Sequence, residues 1–135
     1  MQSPFIYHLS SSAAFLANID EGHYAPPSVK EEGFIHCSPD IPTALSVATD
    51  YFGTLQGPLI VLVIQPDNVQ ADVRLEAPVT KAGAGGRHLQ FSVLFPHIYG
   101  PIQIASILEI GVLQKQNNRW FWPDSFTPTA TFLGG

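Results

Sequence analysis

His8, His36 and His97 stand inside apolar runs: Phe5-Ile6-Tyr7-His8-Leu9, Gly33-Phe34-Ile35-His36-Cys37-Ser38 and Phe95-Pro96-His97-Ile98-Tyr99. Each run reads as a β-strand. Burying a polar group such as an imidazole without a partner costs roughly 2–7 kcal/mol on transfer scales, so a chain that does this three times is furnishing a polar cleft. Strand alternation sets each ring on one face with an apolar or aromatic neighbour: Ile6 with His8, Phe34 with His36, Phe95 and Tyr99 with His97. A single such histidine is most simply a core residue bonded to backbone. Three together favour a shared pocket with polar tips and aromatic walls. Tyr24, in Gly22-His23-Tyr24, and Ser38 are further candidates for its lining.

Glu76 is the carboxylate to add. It closes the short strand Val73-Arg74-Leu75-Glu76 and precedes the glycine-rich stretch Lys81-Ala82-Gly83-Ala84-Gly85-Gly86. There it can serve as a general base or accept a hydrogen bond from a ribose hydroxyl; the plainer reading is a solvated strand end. The candidates divide into a catalytic group, His8, Glu76 and His97, and a ligand-binding group, Tyr24, Phe34, His36, Ser38, Phe95 and Tyr99.

Other chemistries have less behind them. Three histidines and Glu76 would be enough zinc ligands, but there is no His-Glu-x-x-His and no cysteine pair, so no metal is expected. Cys37 follows His36 directly, and adjacent strand residues point apart, which rules out a Cys–His couple. No nucleophile elbow occurs. The 81–86 stretch lacks the Gly-Lys-Ser/Thr ending of a phosphate loop and reads as a connector.

The elements that must position these residues are short. Twelve prolines and eleven glycines imply many turns. Ser10 to Ser12 offer caps for a helix to about Asn18, and Ser28 with Glu31 has the spacing of a capping box over one helical turn. Ser38-Pro39-Asp40 opens a helix that runs to Gly53. Pro58 to Gln65 is the strongest strand, buried on both faces. Leu89 to Leu94 reads as a strand leading into Phe95, and Ile104 to Leu113 as a strand or a helical turn followed by one. Asn117-Asn118 turns a hairpin into Arg119-Trp120-Phe121-Trp122, whose two tryptophans alternate to opposite sides. Early helices followed by strands give an α+β fold with a mostly antiparallel or mixed sheet.

At 135 residues and 45% apolar content the chain is one domain with a normal core, here residues 1–122, followed by a loosely held tail, 123–135. Net charge is −5, and the six basic residues are scattered, with only Arg87-His88 adjacent. General nucleic-acid binding is not expected. A single nucleotide remains open, because backbone amides bind phosphate without net positive charge. One cysteine permits no intrachain disulfide and suits a reducing compartment. The start, Met1-Gln2-Ser3-Pro4, lacks the character of a secretory signal, and the longest apolar run, Leu59 to Ile64, is far short of a membrane span. The expectation is a cytoplasmic protein with no membrane partner, its oligomeric state open.

The strings Ile6-Tyr7-His8, Gly22-His23-Tyr24, Glu32-Gly33-Phe34-Ile35-His36-Cys37-Ser38, Glu76 and Phe95-Pro96-His97-Ile98-Tyr99-Gly100-Pro101 resemble a bacterial and plant family, domain-of-unknown-function family 952. That family is similar to the ADP-ribosyltransferase fold, a split, mixed β-sheet whose cleft grips NAD in the enzymes. The resemblance implies that His8 matches a first-strand histidine that contacts ribose. It further implies that Tyr99 or Phe34 offers the aromatic face for nicotinamide and that Glu76 supplies the carboxylate. The chain departs from the transferase pattern where His8 is followed by Leu9-Ser10 instead of Gly-Thr. The expected activity is that of an NAD-type or nucleotide-using transferase or glycohydrolase with NAD as substrate. The alternative is a non-catalytic module for a small-molecule ligand on the same scaffold, and a metal-dependent hydrolase is the weakest reading.

Overall fold

The computed structural model describes residues 4–77 and 94–134. In chain order the elements are β1 (Ile6–Ser11), α1 (Ser12–Ala17), β2 (Ile19–Asp20), β3 (His23–Tyr24), α2 (Pro27–Glu31), β4 (Ile35–His36), α3 (Ile41–Phe52), β5 (Leu59–Ile64) and β6 (Asp72–Glu76). There follow β7 (Phe95–Tyr99), β8 (Ile102–Gln103), β9 (Ile107–Val112), β10 (Gln114–Gln116), β11 (Arg119–Phe121), β12 (Thr127–Pro128) and α4 (Thr129–Phe132). This is an α+β fold in which every strand pair of the described sheets is antiparallel. The sequence-expected features at 81–86, 87–88 and 89–93 lie outside the described residues.

The continuous apolar run at 59–64 becomes β5, flanked by β1 and β9 in a four-stranded sheet of order β1-β5-β9-β12. All six of its residues are buried. Ile60, Leu62 and Ile64 face one core with Ile6, Phe15, Tyr24, Ile35 and Ile98. The alternate residues Leu59, Val61 and Val63 face a second core with Tyr7, Leu9, Ala44, Ala48 and Trp120. Each large side chain so buried contributes about 1.5–3 kcal/mol, which makes this strand the anchor of both layers.

A three-stranded sheet of order β4-β7-β6 packs on the first core. Its register sets His36 opposite His97, Arg74 opposite His97, Asp72 opposite Tyr99 and Glu76 opposite Phe95. Opposed residues of an antiparallel pair share a face. Ile35, Val73 and Ile98 therefore turn to the core, and the histidines, Arg74, Glu76 and Tyr99 share the other side.

Local expectations meet mixed outcomes. Ser28 does not cap α2, whose N-cap is Pro26; its hydroxyl donates to the Phe34 carbonyl at 2.8 Å instead. The strand expected over 34–38 is only two residues long, because the chain changes partners: Cys37 N–H bonds to Pro96 O on β7, whereas Ser38 exchanges both backbone bonds with Tyr7 on β1. Ser38 thus leaves the face of Phe34 and His36. α3 starts after Asp40, whose carboxylate accepts from Thr43 N–H at 2.8 Å, with Pro42 in its first turn. Asn117 and Asn118 take φ of +53° and +62°, the left-handed pair that a two-residue hairpin requires. Trp120 and Trp122 both join the second core, because β11 ends at Phe121 and alternation ends with it. Read from sequence as loosely held, the segment after Pro123 adds β12 to the edge of β9, and buried Thr129 donates to the Ile107 carbonyl at 2.6 Å.

Candidate functional site

Phe34, just ahead of β4, is the hub of the site. Its ring stacks on His97 with centroids 4.0 Å apart and planes at 24°. His36 lies 4.7 Å from the same ring and Tyr99 5.2 Å. The two imidazoles meet edge to face at 5.6 Å, as their opposed register demands. Residues from β4 and β7, some sixty apart in sequence, thus form one aromatic surface.

Glu76 reaches across from β6. Its Oε1 accepts from Tyr99 O–H at 2.5 Å and from His97 Nδ1–H at 2.8 Å. The Tyr99 bond, then the His97 bond, hold the carboxyl below its ordinary range. The same bond raises the Tyr99 phenol. Burial lowers His97, against the pull of Glu76. At neutral pH the group is therefore a carboxylate facing a neutral imidazole whose tautomer it fixes, with the proton on Nδ1 and a bare Nε2. The carboxylate side chain is 36% exposed while His97 is 2% exposed. This is a charged acceptor at the mouth of a ring-lined surface, and neither donor uses its Oε2.

His8 sits behind this surface. Its Nδ1–H donates to the His36 carbonyl at 2.6 Å, and Tyr24 O–H donates to its Nε2 at 2.7 Å. Burial drives its pKa down to about 4. Tyr24 is buried too, and its phenol is raised for the same reason. His8 and Tyr24 thus form a neutral, internally satisfied pair that holds the β4 backbone. Ser38 is buried beside β1, and Phe95 is buried opposite Glu76. Among the described residues, no group of three or more His, Cys, Asp or Glu is clustered to hold a metal, and no helix is long and apolar enough to cross a membrane.

A family model described as "Protein of unknown function (DUF952)" matches residues 9–110. The chain belongs to the DUF952 family. Its fold is similar to the crystal structure of protein CC0527 from Caulobacter crescentus, with a TM-score of 0.66 at 23% identity over 89% of this chain and 93% of that one. A double mutant of CC0527 matches equally well. The solution structure of CC0527 matches with a TM-score of 0.58 at 20% identity over 90% of this chain and 93% of that one. No curated protein matches this chain.

In this DUF952 chain the structure brings Phe34, His36, Glu76, His97 and Tyr99 together and sets His8 and Tyr24 one layer behind. Two participants escaped the sequence reading. Glu32 accepts from His36 Nε2 at 2.9 Å; it lies at the end of α2 and His36 on β4, so no helical or strand period pointed to the pair. Arg74 lies with its guanidinium 4.5 Å above the Tyr99 ring; its parity with Glu76 on one strand was the signal.

Proposed function

We propose that this surface binds an NAD-type or nucleotide ligand and that the protein is an ADP-ribosyltransferase-like transferase or glycohydrolase. The observation that carries the reading is the Glu76 carboxylate, held ionised by Tyr99 and His97 at the edge of an aromatic platform. A carboxylate kept below its usual pKa is a weak base but a good partner for positive charge. In an N-riboside the C1′–N bond breaks with its electron pair going to the leaving base, and positive charge builds on C1′ and the ring oxygen. Glu76 would stabilise that charge, or hold a ribose hydroxyl beside it. Half-exposed His36 and the ring of Tyr99 would supply the wall for the base, with buried Phe34 packed behind them, and water or an acceptor hydroxyl would attack C1′. His97 orients Glu76. His8 and Tyr24 act as positioning residues through the His36 backbone. The one cysteine, Cys37, is buried and forms no disulfide, which suits a cytoplasmic setting.

The test is thermal denaturation with NAD or ADP-ribose, followed by an assay for released base. A ligand at one hundred times Kd adds about 2.7 kcal/mol of stability. Glu76→Gln is expected to cut base release by about 10²–10³, the loss typical of one electrostatic donor or acceptor. No melting shift with millimolar NAD or ADP-ribose refutes the reading.

One observation favours a second reading, a non-catalytic binding module. His8 is followed by Leu9-Ser10, and both of its ring nitrogens are already engaged. Tight binding without turnover, unchanged in Glu76→Gln, would decide for the module.

A further inference from the structure

Arg74 carries an inference that rests on the ribose-binding reading and deepens it. β6 presents Asp72, Arg74 and Glu76 on one face, and Arg74 stands directly opposite His97. The centre of its guanidinium lies over the Tyr99 ring, 4.5 Å from the centroid. A guanidinium seated against a ring keeps N–H groups with which it can donate. The hydrogen bond that Arg74 makes, to Asp72 Oδ2, is long at 3.4 Å, and the two side chains are 57% and 75% exposed. The cation thus rests against a ring, its charge is felt by Glu76, and its hydrogen bond to Asp72 is long and exposed.

Same-face neighbours on a strand lie about 6.6 Å apart. That is the scale separating a ribose hydroxyl from the phosphate on the same sugar. We infer that Arg74 is the phosphate-recognising residue of this site, so that its ligand is a phosphorylated riboside with ribose at Glu76 and its 5′-phosphate at Arg74. Guanidinium edges match phosphate oxygens in geometry and charge. Asp72 then acts as a competing acceptor that the phosphate displaces.

The experiment compares nicotinamide mononucleotide with nicotinamide riboside, which differ only by the phosphate, using calorimetric titration of the full chain. The wild type is expected to prefer the mononucleotide by roughly 10- to 100-fold, the scale of a charge-assisted hydrogen bond. Arg74→Gln should abolish that preference, the mononucleotide losing roughly 10- to 100-fold more affinity than the riboside, whereas Asp72→Asn should enlarge it. Equal affinity of the wild type for both probes overturns the inference, as does a preference that survives Arg74→Gln; in either case the ribose-binding reading stands. Failure of both probes to bind overturns the inference and the reading together.

Discussion

Acid is expected to destabilise this protein through His8. The ring is 7% exposed, and in its neutral form it already satisfies both nitrogens, so protonation would add a buried charge with no opposite charge beside it among the described residues. Its folded pKa is about 4 against an ordinary 6.5, chiefly because burial penalises the imidazolium. Between those values the unfolded chain binds a proton that the folded chain refuses, so stability rises with pH across the window and falls as pH is lowered through it. At about 1.36 kcal/mol per unit, the loss from pH 7.5 to 4.5 is about 2.5 kcal/mol, large against a typical total of about 5–15 kcal/mol. His97 is lowered as well and adds loss of the same sign. Glu76 works in a lower range: its folded pKa is depressed, so its contribution persists above the ordinary carboxylate value and fades only below it. Urea denaturation at the two pH values measures the total. His8→Gln keeps a donor and an acceptor without a titrating ring, so the variant should lose stability at pH 7.5 and show a shallower pH dependence. Proton resonances of the His8 ring should hold still until the pH nears 4. A midpoint near 6.5, or an undiminished slope in His8→Gln, would refute the reasoning.

Two further outcomes follow from packing. A Cβ on Gly111 would lie 2.6 Å from the Phe126 ring and 2.7 Å from Pro123; Gly111→Ala should therefore cost about 1–3 kcal/mol, and proteolysis should cut first within the displaced 123–134 segment. Lys115 donates to the Gly53 and Leu55 carbonyls just beyond α3 at 3.0 and 3.1 Å. Lys115→Met keeps the stem but removes both bonds, and chemical denaturation should report a loss of about 1–3 kcal/mol.

Much of the site was legible because strand parity is local. Alternation alone aligns Phe34 with His36, Phe95 with His97 and Tyr99, and Arg74 with Glu76. What parity does not encode is adjacency: that His36 faces His97, or that β6 lies beside β7, depends on pairings between distant segments. The two-residue length of β4 is likewise a tertiary outcome, set where Tyr7 captures Ser38. The C-terminal segment is hard to read for a related reason. Its Thr, Pro and Gly content gives no local periodicity, and its anchor is a space left by Gly111 on another strand.

The hand-over between Cys37 and Ser38 has a mechanical consequence. Within three residues the chain is bolted to β7 through Cys37 N–H at 3.0 Å, to β1 through the Ser38 pair at 2.7 and 3.0 Å, and to the His8 ring through the His36 carbonyl at 2.6 Å. Rotating one sheet against the other would shear the Ser38 pair and the His8 bond together, while the Cys37 bond ties the same segment to β7. A jaw that closes by hinging at this seam is thereby disfavoured, and a visiting molecule meets a shape cast in advance, with little ordering left to do when it lands.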